Sequence, residues 1–259
     1  MVPERDVPMA FCRVGGVVGA RRVGGVVGAL AAAAAVEYVP SLVAVGQWGP
    51  LRALPAGLCR WQGPRFPPSV ALTFDDGPDP AGTPCVLDAL DDLGLRATFF
   101  VVGEQVRRHP SLVEEIAARG HQLASHGDVH ASHLLRSPRW VRRDVQRGRD
   151  VMAALGHAPR WYRPAYGHAT GATLAVARAA GFETVLWSAW GREWRSQSPD
   201  EVAGRVLRRL RPGAVVLLHD SDRYGPPGMW RLVVGALPLV ADELRRRHLS
   251  SATLDELVG

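Results

Sequence analysis

Hydrophobic and polar positions change character near residue 69. From there to the carboxyl end, short apolar runs alternate with stretches of helical periodicity, the order expected of α/β architecture. Positions 70–74 read as a buried strand. Thr83-Pro84 opens a helix with proline in its first turn, an apolar stripe of Val86, Leu87, Leu90 and Leu93, and a stop at Gly94. Strands are expected at 97–102, 121–125, 161–163, 184–188 and 214–218, and helices at 110–119, 137–155, 170–180 and 230–246. Ser198-Pro199 starts one more helix, with Glu201 placed to complete a capping box. A turn or short helix closes the chain at 253–257.

Polar clusters follow nearly every strand: Asp75-Asp76, His126, Arg163, the 187–194 segment and His219-Asp220. Strand ends of a barrel converge on one face, so this pattern predicts a distorted (β/α) barrel of about seven strands with one site. An open doubly wound sheet fits less well, because its polar ends would not be spread over so many strands. No Gly-x-Gly-x-x-Gly follows the first strand, so nothing supports a dinucleotide site.

The amino-terminal part is different. An Arg-Val-Gly-Gly-Val-Val-Gly-Ala octamer occurs at 13–20 and again at 22–29. Arginines precede an apolar run over 23–46 that is interrupted by Glu37. Residues 1–50 therefore read as a leader: a membrane anchor, a cleaved signal or a soluble extension. Residues 51–68, rich in proline and glycine, read as a linker, leaving 69–259 as the domain.

Composition narrows the classes. Of 259 residues, 47% are apolar and 22% charged, enough for a packed core. The net charge of +6 favours anionic surfaces such as envelope polymer or lipid headgroups. Arg142, Arg143, Arg147 and Arg149 read as a solvated helix face, and no nucleic-acid module is present. The three cysteines, Cys12, Cys59 and Cys85, lie far apart, which argues against a disulfide framework or a cysteine metal site. Cys85 falls in a helical pattern and is expected to be a buried small hydrophobe.

The candidate chemistry lies at the strand ends. Asp75 and Asp76 stand where an apolar strand stops at Gly77-Pro78, so one carboxylate can bind a cation and the other accept a proton. His126 and His130, four apart, can share a metal on a turn or tight loop. With Asp76 they make a two-histidine, one-carboxylate set suited to a divalent cation, zinc by default. His121 is expected to be structural, and His133 a surface or supporting group rather than a ligand. Arg163 can orient the general base, the Tyr166 amide can face an oxyanion, and His219 can act as a general acid. Leu217 is a candidate for an acyl-methyl pocket. The chain has 8 tryptophans. Trp187, Trp190 and Trp194 cluster after one strand, with Trp194 the better candidate for stacking on a sugar and Trp190 balanced between that role and core packing.

These motifs resemble the polysaccharide deacetylases with a NodB-homology domain, carbohydrate esterase family 4, over about residues 69–240. Thr73–Pro78 resembles the first motif, which implies that Asp75 is the catalytic base and Asp76 a metal ligand. His126-Gly127-Asp128-Val129-His130 resembles the second, with Gly127 in place of the usual serine or threonine. Residues 162–167 resemble the third, with Ala165 for its second proline, implying Arg163 as partner of the base and Tyr166 as oxyanion donor. Residues 217–220 resemble the last, implying Leu217 in the acetyl pocket and His219 as acid. The fourth motif departs most: Trp190 replaces its first acidic residue, and Glu193 stands where an aspartate tunes Arg163 and His219. The resemblance implies a distorted (β/α) barrel and a metal-dependent hydrolase, expected to be monomeric. It would remove N-acetyl groups from an amino-sugar glycan of a bacterial-type envelope, while membrane-bound or extracellular. A glycan-binding barrel with weakened catalysis, or an amidohydrolase for a non-sugar N-acyl substrate, are the other readings.

Overall fold

The computed structural model describes residues 59–259. The octamer repeat and the candidate anchor lie outside the described residues. Among those described, no helix is long and apolar enough to cross a membrane.

One curled sheet of nine strands forms the framework. In chain order the strands are β1 (Cys59–Arg60), β2 (Ser69–Asp75), β3 (Thr98–Val101), β4 (Gln122–Ser125), β5 (Trp161–Tyr162), β6 (Glu183–Val185), β7 (Ala189–Trp190), β8 (Val215–His219) and β9 (Ser250–Ala252). Their order in the sheet is β1-β6-β5-β4-β3-β2-β8-β7, with β9 beside the start of β2. Every strand pairing within it is parallel. The helices are α1 (Thr83–Leu93), α2 (Gly103–Arg108), α3 (Pro110–Ala118), α4 (Pro138–Ala154), α5 (Gly171–Ala179), α6 (Pro199–Leu207), α7 (Met229–Arg246) and α8 (Leu254–Val258).

The six expected strands are present, and the barrel is distorted as expected. Three strands of two or three residues, β1, β7 and β9, and the one-and-a-half-turn helix α2 go beyond the expectation. Cys-Arg, Ala-Trp and Ser-Ser-Ala lie in no apolar run of strand length, and α2 completes too little of a helical period to be read from hydrophobic pattern. β1 falls in the stretch read as a linker. It pairs with β6, and Gln62 then bridges Ala214 just ahead of β8. With the Ser188 N–H donating to Val215 O at 2.9 Å, this ties the two ends of the curled sheet together.

Period-two alternation along β2 and β8 separates the two larger of the three apolar clusters of the interior. Val70, Leu72 and Phe74, with Val216 and Leu218, pack outward against Val86, Leu87 and Leu90 of α1 and Val233, Leu237 and Val240 of α7. Ala71, Val215 and Leu217 face the inside with Phe100, Trp161, Trp187 and Trp190. Each fully buried large side chain of this kind contributes about 1.5–3 kcal/mol. Because Asp75 and His219 continue the inward series and are register partners, the packing of the strands itself delivers both into the mouth of the barrel.

Two local expectations are corrected. Cys85 is exposed, because the buried positions of α1 are Thr83, Val86, Leu87 and Leu90, and residue 85 falls off that stripe. The α6 cap is only half a capping box. Ser198 accepts from Glu201 N, but the Glu201 carboxylate accepts from Gln197 N, one residue before the cap. His121 is buried at the start of β4 away from the site. His133 is buried too, its Nε2 at 3.4 Å from Asp144 and its Nδ1 at 3.1 Å from the Thr173 hydroxyl.

Candidate active site

Asp75, Asp76, His126, His130, Tyr166, Trp194, Leu217 and His219 all line one cavity of about 660 Å³ at the mouth of the barrel. Arg163 and Glu193 stand directly behind it.

The end of β2 splits its two carboxylates. Asp75 is still strand; Asp76 has φ 83, in the left-handed region, and the next peptide, Gly77-Pro78, is cis. The turn swings Asp76 out of strand alternation so that both aspartates serve the same space. It is backed by Asp220, whose carboxylate accepts from the Thr83 hydroxyl. A Cβ on Gly77 would lie 2.3 Å from Asp220 Oδ2, so only glycine allows that approach. Burial raises the Asp220 pKa to about 7, against the opposing Thr83 hydrogen bond. Asp220 was legible in the sequence only as the neighbour of His219.

Arg163 is the buried hub. Its Nη1 donates to Asp75 Oδ1 at 2.6 Å and to Thr73 Oγ1 at 2.9 Å, while Nε and Nη2 donate to the carbonyls of Val185 and Leu186. The guanidinium lies 4.0 Å over the Phe100 ring. Burial lowers its pKa and Asp75 opposes that. One orientation of Asp75 is thereby imposed, with Oδ2 left facing the cavity side at 3.8 Å from His126 Nε2.

Asp76, His126 and His130 bring one ligand atom each within 4.8 Å of one another. The Arg163 carbonyl accepts from His126 Nδ1 at 2.8 Å. A carbonyl can only accept, so the Nδ1 proton is fixed and the Nε2 lone pair is aimed at the site. Asp76 Oδ1 lies 3.5 Å from His126 Nε2 and 3.2 Å from His130 Nε2. Burial disfavours the Asp76 anion, but the two histidines outweigh it and hold its pKa well below the usual carboxylate range. Burial also works against charge on His126, and Asp75 and Asp76 prevail, raising its pKa. Two imidazoles and a buried carboxylate oxygen without another protein partner form a donor set that fits a divalent cation.

His130 is oriented differently. Its Nδ1 is buried with no hydrogen-bond partner. The ring instead stacks on Tyr224 at 4.2 Å and 15°, and meets the edge of Tyr166 at 4.4 Å. Tyr224 is fixed by donating to Glu104 and accepting from Gln105 Nε2 at 2.9 Å. Tyr224 lies in the connection after β8, and no motif in the sequence pointed to it. Tyr166 itself has φ 60, the left-handed turn that Pro164 and Gly167 bracket.

At the other strand end, His219 Nδ1 is 3.1 Å from Glu193 Oε1. Burial lowers the imidazole pKa, but the Glu193 carboxylate overrides it, with smaller contributions from Asp76 and Asp75, to give about 9. Trp194 meets the His219 ring edge-on at 5.5 Å.

A family description, polysaccharide deacetylase, matches residues 62–185. A peptidoglycan-N-acetylglucosamine deacetylase of Bacillus cereus is 33% identical over 209 residues, covering 79% of this chain and 94% of that one. The chain belongs to the polysaccharide deacetylase family. A chitooligosaccharide deacetylase of a Bradyrhizobium species is 38% identical over 73% of this chain and 90% of its own. Among solved structures, the Bc1960 peptidoglycan N-acetylglucosamine deacetylase in complex with 4-naphthalen-1-yl-N-oxidanyl-benzamide superposes with a TM-score of 0.75. It shares 31% identity, covering 82% of this chain and 97% of that one.

Within this polysaccharide deacetylase the departures from the family pattern have structural answers. Gly127 has φ 85, and a Cβ there would lie 2.5 Å from Asp144 Oδ2. Asp144, on α4, accepts from the backbone N–H groups of Asp128 and Val129 at 3.1 and 3.0 Å, holding the loop that carries His126 and His130 from the helix side. Glu193 reaches His219 despite its extra methylene. It does not meet Arg163, whose donors are taken by Asp75, Thr73 and the two carbonyls. Trp190 is buried between Trp187 and Trp194, at 5.7 and 5.8 Å, so it both packs the inner core and forms cavity wall.

Proposed function

We propose that this protein hydrolyses the N-acetyl groups of an amino-sugar glycan of the cell envelope, with zinc as its divalent metal. The observation that carries the reading is the convergence on one cavity of the Asp76–His126–His130 trio, of Asp75 backed by Arg163, and of His219 backed by Glu193. Family membership supports the glycan substrate, and the donor set supports zinc. The basic balance of the chain supports an envelope location.

Asp76, His126 and His130 hold the metal, which when bound supplies Lewis acidity toward the acetyl carbonyl and toward water. Asp75 takes the proton from the attacking water. Arg163 keeps its carboxylate turned to the site through Oδ1, leaving Oδ2 to accept. The Tyr166 amide donates to the oxyanion as it develops. His219, kept charged by Glu193, gives a proton to the departing sugar nitrogen, and the products are acetate and a free amine. Leu217 and the tryptophan wall exclude water around the acetyl methyl, and Trp194 offers a face to the sugar ring. The Trp190–Trp194 wall favours a sugar over a non-sugar N-acyl substrate.

Acetate release from N-acetylglucosamine oligomers, with and without chelator, tests the reading. Activity is expected to vanish with chelator and return with added zinc. Asp75→Asn is expected to abolish turnover while the protein still binds one equivalent of metal. Acetate release at the wild-type rate by that variant removes Asp75 as the base.

A further inference from the structure

Arg192 and Arg195 line the same cavity as Asp75 and His219, but neither touches the reacting centre. Of the carboxylates in their own segment, Glu193 is engaged with His219 and Glu201 with Arg205, and no ion pair joins the exposed Asp200 to either arginine. Among the described residues, neither arginine has an ion-pair partner. Arg205 adds to the positive charge, its Nη2 donating to Arg195 O at 3.3 Å. Burial, with repulsion from Arg195 and Arg205, lowers the Arg192 pKa.

The backbone gives an independent sign. Arg192 has φ 54 and ψ 47, a left-handed conformation that costs an ordinary side chain free energy and costs glycine almost none. A glycine stands next door, but Gly191 is used for close packing, where a Cβ would lie 2.8 Å from Val202 and 2.9 Å from Leu218. An arginine held in the strained position is more readily explained by what its side chain does than by the turn itself. The turn lays its guanidinium 4.0 Å over the face of Trp190. Trp190 meets Trp194, and Trp194 meets His219, so the fixed cation sits at the far end of an aromatic wall that begins at the catalytic imidazole.

The acidic groups of the cavity are already matched, Asp75 by Arg163 and Asp76 by its two histidines or a metal. The rim is left with positive charge and no counterion. A guanidinium that is stacked and partly desolvated is preorganised for a planar carboxylate, which it can meet with two parallel hydrogen bonds. We propose that Arg192 and Arg195 form a carboxylate subsite, so that the cavity selects an N-acetylated glycan whose sugars carry carboxylate groups over a neutral oligomer. This rests on the deacetylase reading and adds charge selectivity to it.

Three substrates of equal length separate the possibilities: a neutral N-acetylglucosamine oligomer, a glycan strand bearing sugar-borne carboxylates without peptide, and the same strand with those carboxylates methyl-esterified. Acetate release by the metal-loaded full chain is measured at low and high salt. The acidic strand is expected to exceed its ester in kcat/KM by about tenfold or more, carried by KM. That ratio is expected to fall toward one in high salt, partway in Arg195→Gln, and fully in the Arg192→Gln, Arg195→Gln double variant. A ratio near one in the wild type, or a ratio unchanged by the double variant, overturns the subsite. If no substrate releases acetate, the deacetylase reading fails separately. Calorimetric binding of the acidic strand against its ester then decides the subsite, equal affinities overturning it. Arg195 is exposed, so its single substitution tests the charge without disturbing the core.

Discussion

His219 shows how one neighbour sets the working state of the proposed general acid. Burial alone would keep the imidazole neutral, but Glu193 brings its pKa to about 9. The charged, proton-donating form is therefore present below about pH 9 and lost as pH rises through that value. Acetate release is expected to fall on the alkaline side for this reason. Glu193→Gln removes the stabilising charge, so the alkaline limb should move to lower pH and kcat should drop; a pH–rate profile of both proteins checks this. An unmoved limb would mean that Glu193 does not govern the acid. Most of the residues gathered at the cavity were legible as candidates, because strand-end aspartates and histidines carry few structural explanations when they follow apolar runs. Tyr224 and Asp220 were not. Their contributions are a ring stacked on His130 and a carboxylate under Gly77, contacts between segments far apart in the chain.

At the scale of an element, the loop from β4 to α4 is held by its own helix. Asp144 accepts two loop amides, while Gly148 lets α4 approach so closely that a Cβ there would lie 2.7 Å from Gly127 C. Gly127→Ala adds a side chain at φ 85 and pushes it into Asp144. It is expected to destabilise the fold by about 1–3 kcal/mol, lowering the melting temperature by several degrees, and to weaken metal binding further. Calorimetric melting with a metal titration checks both effects, and a variant that melts and binds like the wild type would remove the loop–helix contact as a support. The sequence marked Gly127 as a departure from the family pattern. It did not reveal the partner, because an acidic residue on an arginine-rich helix face looks the same whether it points to water or to a loop.

For the whole molecule, the candidate metal trio is expected to couple charge to occupancy. His126 has a raised pKa because two buried carboxylates face it, so with the metal absent it retains a proton to higher pH than a free imidazole. Binding a cation displaces that proton, so affinity is expected to weaken as pH falls. Since a ligand of the folded state raises its stability by mass action, zinc should raise the melting temperature, and more at pH 8 than at pH 5.5. Thermal scans with zinc, cobalt and manganese at both pH values check this, and a shift independent of pH would argue against His126 as a ligand. The sequence by itself determined the alternation of strands and helices, the positions where strands end and the residue types at those ends. Those are local properties: apolar period, turn formers, and the cost of leaving carboxylates beside a dry strand. Only the tertiary structure decided which groups meet. The curl of the sheet ties β1 to β8 across its open side, the β2–β8 register sets Asp75 beside His219, and burial of Arg163 joins the two halves of the site. Contacts of that kind depend on curvature and register accumulated over the whole barrel, which no window of the chain contains.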